Sequence, residues 1–460
     1  MRSLKLFGWG LLTLACLATF PFLLHHTTPP PHSPQISNPS HLAPWKSVVQ
    51  TRSHHHRASP PSTPVVPAAA GKPPTSADAD FLLSVPSPPL KKPDPTSGSD
   101  LYIGFGRSVG SGFFRASHEA QICNRDSCVP LRRGGQKLIA KTTKVEHGEK
   151  AIAHSAAESK MWETVSRRVK EQGKTMAGID VPVKMFEYEH PHGRAELHVQ
   201  SKGAGVTFGS WKKLHLFFST FLEALATLHS AHFSHRDIKP PNLRRSSDGT
   251  AILADMGLAV DMGMNALDTS FHIRSFDGHP PRFRTGPPEI HLDVGHTTTT
   301  AHPYDMWQSG VLLADYFFFP CMLFPELPKK DEKLAKARRH QEIARRQYRL
   351  AGSAEVGGKD VREFFTEDFL RKGGYDRESV VRPPGGGALE RVYYELRVES
   401  RDSRKCDAKA VESMKLKRRA LPDGVELAVA ELLLKMLAAE PDERITAAEA
   451  KIIWDALPTS

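Results

Sequence analysis

The stretch "HFSHRDIKPPNL", residues 232–243, sets an acid, an amide and three basic side chains on a short loop between apolar residues. Pro240 and Pro241 prevent a helix from continuing through it, because proline fixes φ and removes a backbone donor. Upstream, "LHLFFSTFLEALATLHSAHF", residues 214–233, has the apolar spacing of a buried helix. Downstream, "ILADMGLA", residues 252–259, brings Asp255, 18 residues after Asp237. The turn "SSDG", 246–249, separates two strand-like pieces, so Asp237, Asn242 and Asp255 can converge on one cluster.

The run from His235 to Asn242 resembles the catalytic loop of eukaryotic protein kinases, H-R-D-x-K-x-x-N. The resemblance implies an α+β, two-lobed fold, with a small β-rich N-lobe and a larger helical C-lobe. It implies that Asp237 accepts the proton of a substrate hydroxyl and that Lys239 contacts the γ-phosphate of ATP. Asn242 and Asp255 would bind Mg²⁺, or Mn²⁺ in its place. His235 and Arg236 take structural roles in the same loop. Lysine two places after the aspartate resembles kinases that act on Ser/Thr hydroxyls of protein substrates. The similarity runs from about 100 to 458 and breaks near 325–420. In "GPPEI", 286–290, Glu289 stands where the family pairs a glutamate with a late arginine, here Arg444. Asp305, opening "DMWQSGVLLADYFF", stands where an aspartate holds the catalytic-loop backbone.

The nucleotide end is less regular. "DLYIGFGRSVGSGFFRAS", from Asp100, suits a strand, a glycine turn and a return strand. Two registers compete, Gly104/Gly106 and Gly110/Gly112. The second is preferred, because Val109 precedes it and Phe114 falls at the tip of the loop. Neither gives a full G-x-G-x-x-G, since Arg115 takes the third position. "KLIAKTTK", 137–144, reads as a strand carrying Lys141, with Leu138 and Ala140 on one face and Ile139 and Lys141 on the other. Glu158, 17 residues on, begins an apolar helical face through Met161, Trp162 and Val165, which favours it over Glu163 as partner of Lys141. Val109, Gly110, Gly112, Ala140, Lys141 and Glu158 are therefore the candidate ATP-binding residues.

Three departures from the family pattern stand out. Met256 replaces the Phe of D-F-G, an apolar exchange that leaves Asp255 in place. Arg115 removes a glycine from the phosphate cover, and Pro281 lies where a threonine often precedes P-P-E. Thr269, Ser270, Ser275 and Thr285 are candidate phosphosites. The irregular glycine loop keeps a catalytically weak pseudokinase scaffold open as an alternative, and the topology below keeps open a lumenal kinase acting on a glycan.

The 460 residues carry a formal net charge of +11, much of it in one late basic stretch, and no zinc-finger or RNA-binding signature. No specific nucleic-acid partner is expected, and no feature sets an oligomeric state. Residues 1–24 hold an uncharged apolar run after Arg2 and Lys5. This reads as a signal anchor in the membrane, or as a cleaved signal peptide. The charge order places the rest of the chain in the lumen or outside the cell, as a single-pass secretory-pathway protein or a secreted one. Residues 25–98, rich in Pro, Ser and His, read as a disordered stalk. The kinase domain occupies 99–460, with a basic insertion at about 325–420. Its helix-favouring part, 329–352, reads as a solvated basic helix or a docking surface. Among five cysteines, Cys123 and Cys128 would close a small disulfide loop in an oxidising lumen and stay thiols in cytosol.

Overall fold

The computed structural model describes residues 73–84, 101–111, 114–124, 126–133, 136–190, 193–201, 208, 210–262, 286–292, 301–318, 333–352, 355–365, 367–373, 386–399 and 421–459. The expected membrane segment 1–24, most of the stalk, Gly112, Pro281 and the four candidate phosphosites lie outside these residues. Among the described residues no helix is long and apolar enough to cross a membrane.

The small lobe is an antiparallel sheet. Its strands are β1 (Tyr102–Ser111), β2 (Arg115–Cys123), β3 (Cys128–Pro130), β4 (Arg132–Arg133), β5 (Gln136–Thr143), β6 (Lys184–His190) and β7 (Gly193–Ser201). The main order is β1-β2-β5-β7-β6, with β3 on β2 and β4 on β5. One face buries Ile103, Ala120, Ile122, Leu138, Ala140, Phe186, Leu197 and Val199. Cys123 and Cys128 are joined by a disulfide across the β2–β3 pair. Gly104 is pressed against it, since a Cβ there would meet the Cys123 sulfur at 2.5 Å. At Gly106 a Cβ would instead meet Gln121 Nε2 at 2.9 Å, while Gly110 pairs with Ser117 next to the turn.

The stalk reading does not hold over residues 76–84. Ser76–Ser84 form helix α1, and Ala79 is buried in the small-lobe core. Thr75 and Asp78 cap each other: the Thr75 amide and hydroxyl both donate to Asp78 Oδ2, and the Asp78 amide donates back to Thr75 Oγ1. This reciprocal cap satisfies amides that a short helix leaves unpaired.

Helix α2 (Gly148–Glu171) packs beside β7 and carries Glu158 inward. The large lobe is built on α3 (Trp211–Ser230), whose Leu214, Phe217, Phe218, Phe221, Leu222, Leu225 and Leu228 recur every three or four residues and are all buried. Such side chains contribute roughly 1.5–3 kcal/mol each by burial. After α3 come β8 (Phe233–Ser234), β9 (Leu243–Arg245), β10 (Ala251–Leu253) and β11 (Val260–Asp261). The pairs β9–β10 and β8–β11 are antiparallel hairpin-like ladders that bracket the two carboxylate segments. Helices α4 (Pro288–His291), α5 (Ala301–Phe317), α6 (Lys333–Ala351), α7 (Glu367–Gly373), α8 (Ala388–Glu399), α9 (Val425–Met436) and α10 (Ala447–Asp455) complete the lobe.

Helix α6 corrects the expectation of a solvated basic helix. Ile343, Ala344, Arg345, Gln347, Tyr348 and Leu350 are buried. Gln347 accepts the indole N–H of Trp307 at 3.2 Å, and Tyr348 packs against Trp307, Phe364 and Phe365. Glu342 pairs with Arg345 and Arg346, which offsets part of the cost of burying them.

Candidate active site

The loop after β8 is held from beneath by Asp305 of α5. Asp305 Oδ2 accepts the amide of His235 at 2.7 Å and the hydroxyl of Ser234 at 2.9 Å, and Oδ1 accepts the amide of Arg236 at 2.6 Å. Gln308, one turn on, accepts the amide of Ile238 at 2.9 Å. Arg236 has φ +63°, a conformation that a non-glycine residue keeps only when its surroundings enforce it. His235 Nε2 donates to the Ala254 carbonyl at 3.1 Å, and Nδ1 accepts the Asp237 amide at 3.3 Å. One neutral tautomer makes both bonds, and burial depresses the His235 pKa and so favours that neutral form.

Asp237 is fixed by its own loop. Lys239 Nζ lies 2.5 Å from Asp237 Oδ2, and Asn242 Nδ2 donates to the same oxygen at 2.8 Å and to the Asp237 carbonyl at 2.9 Å. The Asn242 carbonyl accepts the Ala254 amide at 2.8 Å, which ties the loop to the segment bearing Asp255. Asp255 adopts φ +75° and accepts the Gly257 amide at 3.4 Å. Lys141 Nζ stands between two carboxylates, 3.6 Å from Glu158 and 3.9 Å from Asp255. Burial alone would raise the Asp255 pKa, but Lys141, Lys239 and His235 together reverse that and the carboxyl is held below its ordinary range. Lys141, Glu158, Asp237, Asn242 and Asp255 thus form one connected set.

The sequence model of the protein kinase domain matches residues 201–452, more than half of the chain. The chain belongs to the protein kinase family. It is 35% identical over 99 residues to serine/threonine-protein kinase STK11 of Rattus norvegicus and of Homo sapiens, covering 22% of this chain and 21% of each relative. It is 34% identical over 101 residues to cyclin-dependent kinase 4 of Mus musculus, covering 21% of this chain and 28% of that protein. The aligned segments therefore span about a fifth to a quarter of these relatives. The family match begins at residue 201, after most of the small-lobe sheet, which the structure supplies independently.

Other candidates fall in different places in the kinase. Glu289 of α4 receives both arms of Arg444, from Nη1 at 2.6 Å and Nη2 at 2.7 Å. Arg444 also donates to the Ala438 and Ala439 carbonyls and lies 5.0 Å over the Trp307 ring. Met256 is buried in one cluster with Trp162 and Val165 of α2. Val109 is exposed on β1. Ala140 points into the small-lobe core with Leu138, so its side chain is on the wrong face to join Lys141; Ile139, also buried, is not part of that core cluster. Phe114 is not an exposed loop tip. It is buried against His154 of α2, with ring centres 4.7 Å apart.

Three residues at the site have inward contacts that the sequence does not give, although Arg115 already stands out there as the missing glycine. Arg115 turns inward and stands 3.3 Å from Glu158, and His198 of β7 stands 3.9 Å from the same carboxylate. Asp180 is buried behind the site, with its carboxylate accepting Arg244 Nη1 at 2.9 Å. A charged or polar residue on a strand gives no hint of which face it takes unless its neighbours alternate cleanly, and those around Arg115 do not.

Proposed function

We propose that this kinase transfers the γ-phosphate of ATP to Ser/Thr hydroxyls of a protein substrate. The observation that carries this reading is the state of the Asp237 carboxylate. Its Oδ2 is engaged by Lys239 and Asn242, and no described residue hydrogen-bonds Oδ1. Oδ1 accepts the proton of the attacking hydroxyl, in the role of a general base. Lys239, already beside that carboxylate, offers its ammonium to the phosphoryl oxygens. Lys141, anchored by Glu158, takes the charge of the inner phosphates.

Asn242 and Asp255 offer oxygen donors, the ligand type that Mg²⁺ and Mn²⁺ prefer, and these two would hold the ion. A bound ion supplies charge neutralisation at the phosphates. Two protein ligands are too few for a cage, which suits Mg²⁺ shared with nucleotide oxygens.

The domain is assigned to the secretory lumen or the cell exterior, anchored by residues 1–24. The Cys123–Cys128 disulfide supports this, since such bonds persist in oxidising compartments. Full-length protein should phosphorylate a generic protein substrate in the presence of ATP and Mg²⁺, and Asp237→Ala should abolish the transfer. Equal labelling by both would defeat the proposal, while saturable nucleotide binding without turnover would favour a scaffold. Protease should spare the domain in intact microsomes and digest it after detergent; digestion from outside would overturn the lumenal assignment.

A further inference from the structure

The Glu158 carboxylate is shared by two cations from different strands. Lys141 Nζ of β5 lies 3.6 Å from Oε1, and Arg115 Nη1 of β2 lies 3.3 Å from Oε2. Arg115 is itself 7% exposed, at the position where the glycine loop would carry its third glycine. Its Nη2 contacts Ser155, one turn before Ser159 on α2, and His198 Nε2 at 3.1 Å. A guanidinium only donates, so His198 Nε2 is an acceptor and the ring proton sits on Nδ1, the atom facing Glu158. Ser159 Oγ meets the same Nε2 at 2.6 Å. Arg115 is therefore tied to α2 at Glu158, Ser155 and, through His198, Ser159. Lys141 touches α2 at Glu158 alone among these and also faces Asp255.

We infer that Arg115 is a positioning residue that holds Glu158 and α2 against the sheet independently of Lys141, leaving the Lys141 ammonium to serve the nucleotide. In a site with one cation, neutralising the phosphates and holding the helix compete for the same ammonium. Here β2 supplies a second charge, and it does so from the strand that leaves the glycine turn. The loss of a glycine and the gain of an arginine at one position then have a single explanation: the strand that covers the phosphates is also the strap that fixes α2. Burial would raise the Glu158 pKa, and Lys141 with Arg115 reverse that and hold it well below the carboxylate range, so the anion is present for both.

This inference rests on the kinase reading for its catalytic consequence but not for its structural one. Amide hydrogen exchange of residues 151–165 in the nucleotide-free full-length protein reads the structural part. Lys141→Ala should leave exchange in α2 within about twofold of wild type, while Arg115→Met should speed it at least tenfold. Arg115→Lys, which keeps the charge, should restore most of the protection. Arg115→Gln keeps hydrogen-bond donors without the charge and serves if the Met variant does not fold; it too should speed exchange. Turnover reads the catalytic part. Arg115→Met should lower kcat at least tenfold with the KM for ATP within about threefold, and Lys141→Ala should raise that KM more than tenfold. Unchanged α2 exchange in Arg115→Met and Arg115→Gln, or equal opening in Lys141→Ala, overturns the inference. Wild-type protein that neither binds nor turns over ATP defeats the kinase reading alone, and the exchange data still decide the role of Arg115.

Discussion

The Glu289 carboxylate and the Arg444 guanidinium form a two-pronged pair at 2.6 and 2.7 Å across 155 residues of sequence. Both are buried, and Arg444 spends its remaining donors on the Ala438, Ala439 and Pro303 carbonyls. The pair joins α4 to the turn before α10. Removing one partner leaves an uncompensated buried charge. Glu289→Ala should therefore lower unfolding free energy by about 3–5 kcal/mol, measured by chemical denaturation. The double variant Glu289→Leu/Arg444→Met should lose clearly less than the sum of the two single changes.

Asp305 converts a strained loop into a fixed one. Donors on Ser234, His235, Arg236 and, at 3.0 Å, His229 end on its two oxygens, and they hold Arg236 at positive φ. Asp305→Ala leaves those donors buried without acceptors, at about 1–3 kcal/mol each. The loop should relax and carry Asp237 away from its working position. Turnover should fall at least tenfold, and by more than the affinity for Mg·ATP, to which Lys141 and Asp255 on other segments also contribute. Asp305→Asn keeps one acceptor oxygen and should fall between. A loss confined to nucleotide affinity would contradict this account.

The catalytic loop was legible in the sequence because the chemistry demands particular residue types at fixed separations. Asp237, Lys239, Asn242 and Asp255 have few substitutes and lie on short connected segments. Glu158 was found by coupling a charge requirement to helical periodicity. The partners that come from strands were not found. Arg115 and His198 are polar residues whose inward direction depends on a bulged register in β1 and on strand order, and neither leaves a local trace. The alternation along β5 sets Leu138 and Ala140 on the face opposite Lys141, as the structure has it, so Ala140 lies in the small-lobe core rather than beside that lysine. Helix α6 misled through its charge. Five of its residues are arginines, yet Glu342 and Trp307 give the inward face partners that composition does not reveal.

The disulfide should be chemically visible. Cys123 and Cys128 close a loop only five positions apart in sequence, for which the chain-entropy estimate is about 2 kcal/mol. Cys128→Ser should lower the Tm of protein made in an oxidising host and have no effect on protein kept reduced. Alkylation should label these two cysteines only after reduction. Labelling of both in non-reduced protein from a secretory host would exclude the bond and remove a support of the lumenal assignment.

Asp180 gives the kinase a pH dependence with a definite sign. Its carboxylate is buried at the Ile179–Leu253 bridge, and burial pushes its pKa up from 3.8 to about 6 despite the Arg244 guanidinium at 2.9 Å. Between those two values the folded chain holds a proton that the unfolded chain has released. The stability linked to Asp180 is thus full below the lower value and is lost as pH rises through the higher one. A shift of roughly two units corresponds to about 3 kcal/mol, an upper figure given Arg244. Asp180→Asn mimics the protonated acid, and its amide oxygen can still accept from Arg244. The variant should match wild type near the acid end of this window and become progressively more stable than wild type up to about pH 6, then level off. Denaturation midpoints of the two proteins at matched pH values measure the difference. A gap that is constant with pH, or one that closes as pH rises, would show that Asp180 is ionised throughout and held by Arg244 instead.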